Sequence, residues 1–167
     1  MSTTHKIGLL SDTHLSNLSP DLLEICKNYF NDCSQILHAG DVTNPLVLEE
    51  LDAHGWEVLT VRGNMDLHPG LARLPRKRMV KLGDVSVGMC HGWGGPGSIK
   101  ERILGEFHSS PPPIILYGHT HNADDSIYGG VRFLNPGSPT DKRWAPFASV
   151  ARLVVKGKEV HFELIRL

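Results

Sequence analysis

The sequence predicts an α/β fold, and three observations carry that expectation. Through the first third, short apolar runs alternate with stretches that are apolar at helical spacing. Those runs end in Gly or Ser beside Asp or Asn, and the last third returns to β-type patterning. The opening order of strand, helix, strand, helix, strand implies parallel strands joined by right-handed crossovers, because a right-twisted strand packs its following helix back onto the sheet with that hand. A length of 167 residues suits one domain, residues 1–167, with a sizeable core.

Residues 7–10 are the first expected strand, an apolar run closed by Ser11 and Asp12. Ser19-Pro20 opens a helix: a side-chain cap, then a proline in the first turn, where its missing N–H has no partner to lose. Leu22, Ile25, Cys26, Tyr29 and Phe30 follow at helical spacing and face the core. Residues 36–39 read as a second strand ended by Gly40-Asp41, and Asn44-Pro45 starts a helix with Val47, Leu48 and Leu51 inward. Residues 58–61 are a third strand, ended by Gly63-Asn64. After Pro69 the character changes. Residues 79–82 and 85–90 pattern as a hairpin about Gly83-Asp84. Ser98-x-x-Glu101 reads as a capping box for a helix that buries Ile99, Ile103, Leu104 and Phe107. Three prolines at 111–113 exclude helix and lead into a strand at 114–117. Strands at 131–134, 149–155 and 159–165 complete the order, the last two turning at Lys156-Gly157-Lys158.

The apolar fraction of 40% and charged fraction of 21% are those of an ordinary globular protein. A formal net charge of −1 offers no bulk attraction to nucleic acid or to an anionic membrane, though local charge could still hold a small phosphorylated substrate. Cys26, Cys33 and Cys90 are odd in number and form no C-x-x-C pair, which points to reduced thiols and a cytoplasmic setting. The apolar run at 7–10 is far too short for a signal peptide or a spanning helix.

The unusual residue is histidine, with ten in the chain. His5, His38, His54, His68, His108 and His161 stand singly, where a hydrogen-bonding role suffices. The other four fall in motifs. Five polar clusters stand at expected strand ends: Asp12-x-His14, Gly40-Asp41, Gly63-Asn64-x-Asp66, His91-Gly92 and Gly118-His119-x-His121. Residues two apart on an extended chain share a face, so Asp12 with His14, and His119 with His121, are expected to enter one pocket. The clusters offer three carboxylates, one amide and four imidazoles, a mixture suited to manganese, iron, zinc or nickel more than to calcium or magnesium. Eight such groups exceed the needs of one tetrahedral ion and fit two neighbouring ions, the arrangement that clamps both oxygens of an in-line displacement. No thiol joins the clusters, which argues against structural zinc.

The series Ser11-Asp12-Thr13-His14, Gly40-Asp41, Gly63-Asn64-Met65-Asp66, His91-Gly92 and Gly118-His119-Thr120-His121 resembles the calcineurin-like metallophosphoesterases. The short length and Asn135-Pro136-Gly137-Ser138 resemble the family's small phosphodiesterase branch, to which the retromer's small subunit is also similar. The resemblance implies a four-layer α/β/β/α sandwich of two mixed β-sheets flanked by helices, and a hydrolase of phosphodiesters. It implies one ion on Asp12, His14, Asp41 and His121, and a second on Asp41, Asn64, His91 and His119, with Asp41 shared and water activated between them. Manganese is the first expectation, with nickel, iron, zinc or magnesium as alternatives. Catalytic roles are expected for Asp41, Asn64, Asp66 and His91, and the expected substrate is a nucleotide or other phosphodiester. Assembly into a homo-oligomer is left open. The rival reading is a scaffold of the same fold that binds protein partners; a scaffold is free to lose ligands, and here every ligand position is filled.

Two departures from the family pattern matter. Met65 stands where many members carry a histidine thought to protonate the leaving oxygen, leaving Asp66 and His68 as the expected acids or favouring substrates that need none. Trp93 stands where relatives often carry another histidine, and its flat face suits either a nucleobase or a packed lid. Asp66 is otherwise expected to orient a ligand imidazole, and His38 to be buried and to help place Asp41. Arg73, Arg76, Lys77 and Arg78 could grip a substrate phosphate or a nucleic-acid backbone, but such a run reads first as a solvated turn before an edge strand. Gly94-Gly95-Pro96-Gly97 leads into a helix start, as a phosphate-cradling loop would, but lacks the lysine and spacing of a P-loop and reads first as a flexible pocket rim.

Overall fold

A computed structural model describes residues 3–167. The first sheet has the order β10-β9-β1-β2-β3, from β1 (Thr4–Leu10), β2 (Gln35–His38), β3 (Glu57–Thr60), β9 (Ser149–Lys156) and β10 (Glu159–Arg166). Its β1, β2 and β3 are parallel, as the crossover argument requires, while β9 and β10 add antiparallel. The second sheet has the order β4-β5-β6-β8-β7, from β4 (Lys77–Leu82), β5 (Val85–Cys90), β6 (Ile114–Leu116), β7 (Asp124–Tyr128) and β8 (Val131–Asn135). Here β5, β6 and β8 are parallel and each outer strand is antiparallel. Both sheets are therefore mixed.

Three apolar clusters fill the spaces between four layers. Between the sheets, Ile7, Leu9, Leu37 and Leu153 of the first meet Val80, Val87, Met89 and Leu134 of the second. Outside the first sheet, α1 (Pro20–Tyr29) and α2 (Pro45–Ala53) bury Leu22, Cys26, Val47 and Leu51 against Leu10, Ile36 and Val150. Outside the second, α3 (Ile99–Glu106) buries Ile99 and Ile103 against Ile115 and Phe133. The four-layer α/β/β/α sandwich is thus in place.

The helix starts form as their capping residues dictate. Ser19 Oγ accepts from Leu22 N at 3.2 Å, and Asn44 Oδ1 from Leu46 N at 3.0 Å. The capping box at Ser98-x-x-Glu101 does not form. A turn of 3₁₀-helix, Pro96–Ser98, precedes α3, and the Ser98 hydroxyl caps no N–H but accepts from the Arg102 guanidinium. Strand β7 escaped sequence reading because its residues, Asp-Asp-Ser-Ile-Tyr, are polar or exposed at an edge and carry no buried alternation. No helix among the described residues is long and apolar enough to cross a membrane.

Candidate metal centre

The five polar clusters meet beyond the carboxyl ends of β1, β2, β3, β5 and β6, where the loops of both sheets converge. Asp12 Oδ1 lies 3.9 Å from His14 Nε2, 3.8 Å from His91 Nε2 and 3.3 Å from His121 Nε2. Asp41 Oδ2 lies 3.7 Å from His14 Nε2 and 3.3 Å from His91 Nε2. Two overlapping groups result, Asp12 with His14 and His121, and Asp12 with Asp41 and His91, each compact enough to hold a cation. At the edge of this cluster Asn64 Oδ1 and His119 Nδ1 are 3.0 Å apart, and the His119 ring meets the His91 ring edge-on with centroids 5.5 Å apart. His119 Nε2 lies 3.0 Å from the Gly94 carbonyl.

The convergence does not come from extended chain. Asp12, His14, Asp41, His119 and His121 have φ of 54°, 46°, 56°, 70° and 57°, in the left-handed region that non-glycine residues rarely enter. Each pair two apart, Asp12 with His14 and His119 with His121, thus reaches the pocket by tight left-handed turns and not by strand alternation. Two glycines permit the resulting closeness. A Cβ on Gly63 would stand 2.1 Å from Asp41 Oδ1, and one on Gly118 2.0 Å from Ser11 Oγ.

Tautomers follow from the carbonyls around the cluster. His91 Nδ1–H donates to Ala39 O at 2.7 Å, so Nε2 carries the lone pair. That Nε2 is buried, has no hydrogen-bond partner, and faces the oxygens of Asp12 and Asp41. His121 Nδ1–H donates to Asp141 O, which aims its Nε2 lone pair at Asp12 and His14. Lone pairs facing carboxylate oxygens repel unless a positive charge lies between them, so this donor set fits divalent cations.

Burial and neighbouring charge shift the groups of this cluster in opposing directions. Burial opposes protonation of His91, yet the facing Asp41 and Asp12 carboxylates outweigh it and raise its pKa above the ordinary value. Burial raises Asp12, only partly offset by His91. At Asp41 burial also pushes upward, but His91 and the Met65 N–H together bring the carboxyl below its usual range. Burial lowers His14, so it stands ready as a neutral ligand.

The supporting residues differ in part from expectation. His38 is fully buried, as expected; its Nδ1 accepts from Gly40 N at 3.2 Å and its Nε2–H donates to Thr13 Oγ1 at 3.0 Å, tying the loops that carry Asp41 and Asp12. Asp66 orients no imidazole and is poorly placed as an acid. Its carboxylate is buried and accepts from the backbone N–H groups of Asp41, Thr43 and Gly63 at 3.1, 2.7 and 2.7 Å, which holds the Asp41 turn in shape. The Asn135-Pro136-Gly137-Ser138 turn gains a role: Ser138 Oγ donates to Asp12 O at 2.7 Å and Asn135 Nδ2 to Gly118 O at 3.1 Å. Ser11, whose hydroxyl donates to Asp12 Oδ2 at 2.5 Å, and Asp141 were missed, and their partners lie too far along the chain or depend too much on loop shape to be read from spacing.

Fold and donor set together define a class of metal-binding α/β sandwich, and comparison with known proteins agrees. The calcineurin-like phosphoesterase superfamily domain matches residues 6–158. A probable metallophosphoesterase of Methanothermobacter thermautotrophicus is 34% identical over 160 residues, covering 96% of this chain and 91% of the relative. A Thermotoga maritima protein solved by NMR is 34% identical, with a TM-score of 0.72 and coverage of 98% and 99%. At the level of fold, an archaeal phosphodiesterase (TM-score 0.72, 22% identity, coverage 96% and 99%) and Vps29 of Chaetomium thermophilum (0.73, 20%, coverage 96% and 93%) are also similar. The chain belongs to the calcineurin-like phosphoesterase superfamily.

Proposed function

We propose that the protein is a phosphodiesterase that works with two divalent cations, manganese first among them, at the Asp12–His121 cluster. The observation that carries this reading is the buried, unpartnered Nε2 of His91 aimed at two carboxylates. In this reading Asp12, His14, Asp41 and His121 hold one cation and Asp41, Asn64, His91 and His119 the other. The distances of Asp41 Oδ2 from His14 and His91, 3.7 and 3.3 Å, suit it to the shared position. When bound, such ions lower the pKa of water and supply positive charge for in-line displacement at phosphorus. The Ala39 and Asp141 carbonyls keep His91 and His121 in the tautomer that frees Nε2, and Asp66 and His38 hold the Asp41 and Asp12 turns.

A proton for the leaving oxygen is harder to find. Met65 has none to give, Asp66 is occupied by backbone N–H groups, and His68 is exposed with its Nδ1 accepting from Gly70 N at 3.0 Å. Esters whose alcohol departs unaided, such as aryl diesters, suit this site; alkyl monoesters are expected to react more slowly.

The test is hydrolysis of bis(p-nitrophenyl) phosphate by metal-stripped protein given Mn, Ni, Zn or Mg, with metal binding followed by calorimetry. Activity restored by metal and lost in Asp41→Ala and His119→Ala is the expected result. A protein that binds metals but hydrolyses neither this diester nor a monoester would instead be a scaffold, the reading that its likeness to Vps29 in fold keeps in view. We place the reaction in the cytoplasm, where three free, buried thiols persist.

A further inference from the structure

A cleft of about 440 Å³ shares Asn64 and His91 with the candidate metal centre, and its lining also includes Arg62, Leu67, Arg76 and Trp93. That is the size and the mixed apolar and polar lining of a small-ligand site. Leu67 is 73% exposed and Trp93 41%, a large apolar surface left open beside the chemistry. The Trp93 platform is braced from behind: Arg102 Nε donates to Trp93 O at 2.8 Å, and the same guanidinium reaches Gly95 O and Ser98 Oγ. Its backbone is held while its ring stays free.

The charge in the cleft is equally suggestive. Arg132, Arg143 and Arg152 each pair with an aspartate. Arg62 and Arg76 pair with no carboxylate among the described residues; Arg62 commits only Nε, to the Asp66 carbonyl at 3.3 Å. Exposed Glu106 also lines the cleft and offsets one of the two arginines, leaving a net single positive charge. Arg76 belongs to the basic run that spacing alone assigned to a solvated turn. The turn does lead into edge strand β4, but this one side chain faces the cleft.

We infer that the cleft receives one ester arm of the diester, and that this arm carries a planar ring and a negative charge of its own, as a nucleotide does. The ring lies against Trp93 and Leu67, and the second phosphate meets the forked donors of Arg62 and Arg76, which match phosphate oxygens in pairs. The inference rests on the phosphodiesterase reading for the reacting phosphorus, but occupation of the cleft requires no turnover.

The experiment has a binding arm and a kinetic arm. Calorimetry measures thymidine 3′,5′-bisphosphate binding to manganese-loaded wild type, Arg76→Ala, Trp93→Ala and Glu106→Gln. Affinity is expected to fall about tenfold in the first two variants, the size of one lost charge-assisted hydrogen bond or aromatic contact, and to rise in Glu106→Gln. In the kinetic arm, kcat/KM is compared for thymidine 3′-phosphate 5′-(p-nitrophenyl phosphate) and for the same ester without its 3′-phosphate. Wild type should prefer the phosphorylated ester, and Arg76→Ala should shrink that preference about tenfold. Bisphosphate that fails to bind, or binding and preference indifferent to Arg76, would overturn the inference even if both esters are hydrolysed. Arg76-dependent binding without turnover of any ester would instead overturn the phosphodiesterase reading and leave the cleft assignment standing.

Discussion

At the scale of single residues, the site is assembled against local preference. Left-handed backbone at a non-glycine residue costs about 1–3 kcal/mol, and five of the proposed ligands adopt it. Such strain persists only where surrounding contacts over-determine the shape, and here His38, Asp66, Ser138 and Asn135 make those contacts. His38 has a measurable consequence. Burial pulls its pKa down to about 4, partly offset by Asp66, so the folded protein keeps it neutral where an exposed histidine, near 6.5, takes up a proton. Between those values the unfolded chain binds the extra proton, and the part of stability that His38 contributes falls as pH drops from about 6.5 towards 4. His14, also lowered by burial, adds to the same slope. His38→Gln keeps an acceptor and a donor but does not titrate. Urea unfolding of metal-free protein at pH 7.5 and pH 5 should therefore show a smaller acid loss in the variant; an undiminished loss would remove His38 as its source.

At the scale of elements, two serines at apparent helix starts behave differently. Ser19 caps α1, and Ser19→Ala should cost about 1 kcal/mol through the orphaned Leu22 N–H. Ser98 caps nothing, because the chain enters α3 through a 3₁₀ turn, so Ser98→Ala should cost clearly less, only its exposed contact with Arg102. Chemical denaturation of both variants tests the contrast, and equal losses would mean that Ser98 caps α3 after all. Strand β7 shows the same limit on local reading. Asp124 takes hydrogen bonds from the Tyr117 hydroxyl and Ser126, and Asp125 pairs with Arg132 at 2.8 Å, so partners on β8 and just past β6 stabilise a segment whose own residues favour turns. Its charges also discourage a further strand from adding at this edge.

At the scale of the whole molecule, the proposed cations would tie the sheets together. Asp12, Asp41 and Asn64 come from loops of the first sheet, and His91, His119 and His121 from loops of the second. Ligand bound only by the folded state stabilises it by about 2.7 kcal/mol at a hundredfold excess over Kd. Thermal unfolding of metal-stripped protein should accordingly shift upward by several degrees on adding manganese. The shift should vanish in Asp41→Ala. An equal shift in that variant would show that the metal binds elsewhere.

Much of this was legible in the chain itself, for reasons that are local. Apolar period reported the strands and helices because each element must bury one face, and Ser19 and Asn44 marked helix starts because an orphan N–H needs an acceptor. The order of Asp12, His14, Asp41, Asn64, His91, His119 and His121 at strand ends carried both the family resemblance and the expectation of a metal centre. Other features depended on residues far apart in sequence becoming neighbours. No spacing rule foretells that Ala39 O would set the tautomer of His91, that Asp66 would turn to the backbone of Asp41 instead of an imidazole, or that Arg62, Arg76 and Trp93 would share a cleft. Sequence by itself determined most of the elements, β7 excepted, and which chemistry is available, because propensity and donor type belong to residues. Tertiary structure alone decided tautomer, backbone strain and the company each side chain keeps, because those depend on distances between loops that only packing brings together.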